Sequence, residues 1–236
     1  MRGIVVRHIA RSAASPCADL QRCGVATVHE AMDRQGLASP ELRPIYGGTS
    51  VAGNAVTVLL PPGDNWMIHV AVEMCRQGDI LVVASESPCT DGALGELLAT
   101  SLRAAGVIGA VLDVGCRDVR GLQDMQFPVW CRAISARGTV KDSLGSVNVP
   151  IVCAGMVVTP GDLIVADDDG VACVPYAMVE QVRQAALARK LKEDASREQL
   201  AAGKLGLDRL GMRPKLAAAG LRYVDSLAEL AQSSEK

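Results

Sequence analysis

The chain has 236 residues, 49% of them hydrophobic, which is ample apolar material for a sizeable buried core. A formal net charge of −2 and only two Trp, three Tyr and one Phe leave neither the basic surface nor the stacking rings that polyanion binding needs, so no nucleic-acid partner is expected. The apolar run in MRGIVVRHIARSA is three residues long and no stretch approaches the roughly 18 apolar residues of a membrane span, which predicts a cytoplasmic protein with no membrane partner.

Residues 16–37 carry helical periodicity broken at Cys23-Gly24, predicting one or two short helices. GGTSVAGNAVTVLL (47–60) reads as a strand from its small and β-branched residues; PPGDN ends it, and a helix over 66–76 is entered from Asn65. QGDILVVASES supplies a Gly-Asp turn and a buried strand. A helix is then expected over 92–105, a strand over 109–114, a helix near 119–125 and a strand in FPVWCRAI, with short extended pieces through VNVPIVCAGMVV. PGDLIVADDDGVACVP reads as two strands joined at an Asp-Gly turn. Over 177–202 the composition shifts to Ala, Leu, Lys, Arg, Glu and Gln with apolar residues at 179, 182, 186 and 191, predicting one long amphipathic helix that lies on a neighbouring subunit or on its own core. Another short helix is expected in the tail. The pattern is α/β, with a core over 1–175 and a C-terminal helical arm and tail over 176–236 in the same folding unit.

The chemistry-bearing motifs are few. The eight cysteines form no CxxC pair and most sit in apolar runs, so they read mainly as small buried thiols. His8, His29 and His69 are scattered without metal-ligand spacing, and no G-x-S-x-G elbow, P-loop or dinucleotide glycine fingerprint occurs. DDDG (167–170) lacks the alternate spacing of a calcium loop and reads as a hairpin turn. Lys141 is a conceivable Schiff-base lysine, but nothing around it signals the desolvation that lowers a lysine pKa. Carboxylates and arginine remain, a donor set suited to a hard oxygen-bound cation. Arg117-Asp118 follows the strand GAVLDVGC, at the end where α/β proteins place ligands, although a bare Arg-Asp dipeptide is usually a solvated turn or a charge that steadies the next helix start. DGALGELLAT puts glycines at a helix start whose free N–H groups suit a carboxylate, an arrangement also common in ordinary helices.

Taken together, PPGDNW (61–66), SPCTDGALGELLAT (87–100), DVGCRDVRGLQDMQFPVW (113–130), GTVKDSLGSVNVP (138–150) and PGDLIVADDDGV (160–171) resemble the 4-hydroxy-4-methyl-2-oxoglutarate and 4-carboxy-4-hydroxy-2-oxoadipate aldolases. The regulators of ribonuclease E activity are similar in core but generally lack the metal aspartate. The resemblance implies a compact swivelling-type β/β/α domain with a long C-terminal helical arm, assembled as a homotrimer or homohexamer with sites between subunits. It further implies that Asp118 binds Mg²⁺ or Mn²⁺, that Arg117 contacts the pyruvoyl oxygens, and that the backbone N–H groups of Gly95, Glu96, Leu97 and Leu98 hold the substrate carboxylate. Glu96, separated by twenty residues from the Arg-Asp pair, and Glu193, from an adjacent subunit's long helix, would fix the waters that serve as base; the family places Asp where this chain has Glu96. The implied activity is retro-aldol cleavage of a 4-hydroxy-2-oxo acid, with oxaloacetate decarboxylation as a side activity, and the alternative is a non-catalytic regulator that binds ribonuclease E. For the distal substrate carboxylate, Arg22, Arg43 and Arg120 are all candidates.

Overall fold

The computed structural model describes residues 2–229, and the chain divides after Lys190 into two units. The first contains β1 (Ile4–Val5), α1 (Ala14–Cys23), α2 (Val25–Ala31), β2 (Arg43–Pro44), β3 (Val51–Leu60), α3 (Trp66–Val72), β4 (Asp79–Ser85) and β5 (Gly92–Leu94). It continues with α4 (Glu96–Ala104), β6 (Gly109–Cys116), α5 (Val119–Asp124), β7 (Val129–Ile134), β8 (Ser146–Val147), β9 (Ile151–Cys153), β10 (Met156–Val158), β11 (Leu163–Asp167) and β12 (Gly170–Val174). A long helix, α6 (Val179–Ala201), runs past the division.

The architecture is mixed α/β with a long C-terminal helix. Strands β3, β4, β6 and β7 lie side by side and parallel, joined through α3, α4 and α5. The free edge of β3 is shared by two antiparallel partners: β11 along Val51–Asn54 and β8 at Val58 and Leu59. Burial on both faces explains why the central strands read as uninterrupted apolar runs; Ile80, Leu81, Val82 and Val83 are all fully buried. One core layer sets the sheet against α3, α4 and α5 through Leu81, Val83, Leu112, Ile68, Leu98, Leu102 and Leu122. The opposite face carries Ile80, Val82, Val111 and Trp130 against β9, β10 and the β11–β12 hairpin. Each such Val or Leu contributes about 1.5–3 kcal/mol by leaving water.

Several expectations shift at their edges. Residues 92–94 are strand rather than helix, because Gly92 and Leu94 pair with Gly115 and Cys116 of β6, and α4 starts only at Glu96. Gly115 accommodates that approach: a Cβ there would overlap the carbonyl of Thr90 and lie 2.8 Å from that of Asp91. The Asp-rich stretch is the β11–β12 turn, with Asp167 opposite Gly170, and its carboxylates serve the backbone, Asp167 Oδ2 accepting from Val25 N at 2.8 Å and Asp168 from Gly48 N. All eight cysteines are free, and five are buried. Burial pushes the Cys153 thiol up to about 12. Val179, Val182 and Ala186 of α6 are buried with α1 and α2, whereas Leu191 is exposed. The second unit holds the last part of α6, α7 (Gly206–Arg209) and α8 (Met212–Ala218). Among the described residues, no helix is long and apolar enough to cross a membrane.

Candidate active site

Strand β6 delivers Arg117 and Asp118 to the C-terminal edge of the parallel sheet. The Arg117 N–H still belongs to the ladder, donating to the Leu94 carbonyl at 2.9 Å. Asp118 then turns into the left-handed region, φ 57° and ψ 38°, a conformation that aspartate tolerates better than most side chains. That turn decides what its carboxylate does. Asp118 occupies the position before α5 but makes no capping hydrogen bond to it; Oδ2 accepts instead from the backbone N–H of Glu96, at 3.1 Å, the first residue of α4. Asp118 thus stands at the N-terminus of α5 while its hydrogen bond goes to α4.

Gly95 makes this convergence sterically feasible. Its backbone is extended, φ −139°, and a Cβ there would overlap Asp118 Oδ2 and lie 3.1 Å from Arg117 Cγ. Arg117 Nε sits 3.8 Å from Asp118 Oδ2, with both side chains about half exposed. The N–H groups of Leu97 and Leu98 lie in the first turn of α4, where no intrahelical acceptor exists, at the positive end of the helix dipole. Gly95, Leu97, Leu98, Arg117 and Asp118 all line one cleft of about 260 Å³.

Other expected residues lie elsewhere. The Glu96 carboxylate packs against Gly121 of α5, where a Cβ would come 2.8 Å from Glu96 Cδ, and Glu96 is not among the residues lining the cleft. Glu193 belongs to the second unit, in the latter half of α6. None of the three arginines considered for a distal carboxylate lines the cleft: Arg22 pairs with Asp19, Arg43 donates to the Asp168 carbonyl at 3.3 Å, and Arg120 lies 3.9 Å from Asp124. Cys116, between Gly115 and Arg117, is fully buried, with its sulfur 3.5 Å from that of Cys131, and acts as packing.

The cleft also contains Asn65, His69 and Lys141, which local sequence reasoning did not join. Asn65 and His69 are four apart at the start of α3 and so share a face, a spacing that was available in the sequence. Lys141 comes from a loop over seventy residues later, held by buried Asp64. The carboxylate of Asp64 accepts from the N–H groups of Trp66 at 2.7 Å, Asp142 at 2.7 Å and Ser143 at 2.8 Å. Burial alone would raise its pKa, but these three donors, aided by Lys141, hold it below its ordinary value. Burial first, and then the Lys141 charge, lower the pKa of His69.

Among the described residues, no three His, Cys, Asp or Glu side chains gather as a metal cage. A hard cation that keeps most of its waters needs only one or two protein carboxylates. Asp118 fits that requirement: it is half exposed on the cleft, and the missing Cβ of Gly95 leaves space beside it.

Comparison with known proteins identifies the family. Residues 25–173 match the family model described as RraA-like, Aldolase/RraA. The chain is 33% identical over 171 residues to a protein of Halalkalibacterium halodurans named "Putative 4-hydroxy-4-methyl-2-oxoglutarate aldolase", covering 72% of this chain and 81% of that one. The crystal structure of Streptomyces coelicolor RraAS2, described as an unusual member of the RNase ES inhibitor RraA protein family, superposes with a TM-score of 0.72 at 27% identity, covering 80% of this chain and 99% of that one. A Pseudomonas syringae pv. tomato structure superposes with a TM-score of 0.74 at 24% identity, over 84% of this chain and 97% of that one, and shows the fold alone. The chain belongs to the RraA-like, Aldolase/RraA family.

Proposed function

We propose that this protein is a divalent-metal-dependent, class II pyruvate aldolase of the cytoplasm. It would cleave 4-carboxy-4-hydroxy-2-oxoadipate to pyruvate and oxaloacetate and 4-hydroxy-4-methyl-2-oxoglutarate to two pyruvates, in the degradation of aromatic acids, with oxaloacetate decarboxylation as a side activity. The observation that carries the reading is the meeting of Arg117, Asp118 and the Gly95-headed N-terminus of α4 on one cleft.

The substrate's 1-carboxylate is received by the free N–H groups at the start of α4, and Arg117 donates to the 2-oxo oxygen. Asp118 holds Mg²⁺ or Mn²⁺, which when bound supplies Lewis-acid polarisation of the 2-oxo group. The C4 hydroxyl proton passes to a water, which the resemblance assigns to Glu96 and a neighbouring subunit's Glu193 within a homotrimer or homohexamer. As the C3–C4 bond breaks, its electron pair enters the C2–C3 bond and negative charge collects on the C2 oxygen. Arg117 faces that charge, a contribution of about 3–4 kcal/mol for a preorganised donor. Return of a proton to C3 yields pyruvate, and the C4 half leaves as the second oxo acid. Oxaloacetate losing CO₂ passes through the same enolate.

Metal-dependent pyruvate release, followed through coupled lactate dehydrogenase, tests the reading. The likeness to RraAS2 supports a second reading, a non-catalytic regulator of a ribonuclease, and Arg117 beside Asp118 at the cleft weighs against it. A protein that is inert with every divalent metal yet binds ribonuclease E would establish the regulator.

A further inference from the structure

The Glu96 side chain lies outside the lining of the cleft, in a place that one missing methyl group makes. A Cβ at Gly121 would overlap Glu96 Oε2 and lie 2.8 Å from its Cδ and 3.1 Å from its Cγ, so the carboxylate end of Glu96 fills volume that any other residue at 121 would take. Among the described residues that carboxylate has no hydrogen-bond or ion-pair partner, and Glu96 is exposed, so its oxygens are open to water.

The place is close to Asp118 along the chain. Leu122 N donates to the Asp118 carbonyl at 3.0 Å, closing the first turn of α5, and Gly121 lies within that turn. The Asp118 carboxylate in return accepts from Glu96 N at the start of α4. Each acidic residue therefore reaches the helix at whose start the other stands. The junction is also unable to open and absorb extra volume. At the far end of the two helices Arg103 Nη1 donates to the Met125 carbonyl at 2.7 Å, and between the ends Leu98, Leu102 and Leu122 are buried in one core layer. With both helices held, the flexible Glu96 side chain is the part that moves if residue 121 grows.

A hydrated divalent cation on one carboxylate keeps several waters, and those waters are donors whose acceptors tune how tightly the ion is held. We propose that Gly121 is a positioning residue: its bare backbone admits the Glu96 carboxylate beside the first turn of α5, where that carboxylate accepts hydrogen bonds from waters of a cation held by Asp118. The use of that cation rests on the aldolase reading. Residue 121, which lines no part of the cleft, thereby becomes a determinant of metal affinity, acting through Glu96.

The test is calorimetric titration of the chelator-treated protein with Mg²⁺ and Mn²⁺, beside metal-dependent pyruvate release. Gly121→Ala adds a methyl group inside a helix and meets only the flexible end of Glu96, so its melting temperature is expected to stay level or to rise. Its Kd for Mg²⁺ is expected to rise about 10-fold, the lower end of what loss of an outer partner costs a metal site. Adding Glu96→Asp, one methylene shorter, should recover part of that loss. Glu96→Gln keeps the fit and removes the charge; it should weaken Mg²⁺ binding to a similar extent, and Gly121→Ala added to it should cost nothing further. Unchanged metal affinity in Gly121→Ala, or losses that simply add to those of Glu96→Gln, overturn the inference, and pyruvate release by the parent then leaves the aldolase reading standing. Metal binding that Asp118→Ala abolishes and Gly121→Ala weakens, in a protein that releases no pyruvate, keeps the inference and overturns the aldolase reading. A protein that binds neither Mg²⁺ nor Mn²⁺ overturns both.

Discussion

Gly95→Ala isolates the geometry of the site from its chemistry. The backbone at Gly95 is extended, so alanine adds no torsional strain, but its Cβ would overlap Asp118 Oδ2 and press Arg117 Cγ at 3.1 Å and Nε at 3.2 Å. Relief requires the Asp118 carboxylate to retreat by roughly 1 Å, which breaks its 3.1 Å bond from Glu96 N–H. A displacement of that size at a reacting centre costs on the order of 10²-fold in rate. Stability should scarcely change. Asp118 is half exposed and water replaces the lost donor, while alanine recovers about 0.4–1 kcal/mol of unfolded-state entropy. The expected result is a melting temperature within about 3 °C of the parent, kcat/KM for pyruvate release reduced about 100-fold, and a weakened Mg²⁺ dependence. Full activity with unaltered metal dependence would refute the argument that the missing Cβ sets the position of Asp118.

Arg117→Ala is expected to lower kcat about 10²- to 10³-fold by removing the donor to the developing oxyanion, and Asp118→Ala at least as much; turnover at the parent rate by an Asp118→Ala preparation free of contaminating enzyme would contradict the assignment. Glu96→Asp, measured in the same assay, should retain activity if the side chain only holds a water, and a collapse would show that the extra methylene is needed to reach it. Asp64 carries the pH prediction. Its pKa is lower folded than unfolded, so the stability it confers is complete above the ordinary value of 3.8 and is lost as pH falls through the depressed folded value. Urea unfolding should therefore show a loss on acidification below about pH 4 that is shallower in Asp64→Asn, and that variant should be about 1.5–3 kcal/mol less stable at pH 7.

The sheet was legible because its central strands are buried on both faces, which leaves apolar runs such as Ile80–Ala84 with no polar interruption. The short strand Gly92–Leu94 was not, since three residues carry no period and its pairing with Gly115 and Cys116 is a tertiary fact. The Arg-Asp pair could be found as a motif, and the strand before it put it at the right edge. Its orientation was hidden, because the left-handed turn at Asp118 sends the carboxylate to α4 rather than to the adjacent α5.

Sequence by itself thus determined which residues carry charge at a strand end, where the glycines allow close approach, and which family they belong to, since these are local patterns of chemistry and period. Only the tertiary structure decided the composition of the cleft. Asn65 and His69 arrive from α3, Arg117 and Asp118 from β6, and Lys141 from a loop pinned by the buried Asp64. No local signal predicts that convergence, because it depends on backbone hydrogen bonds between segments distant along the chain.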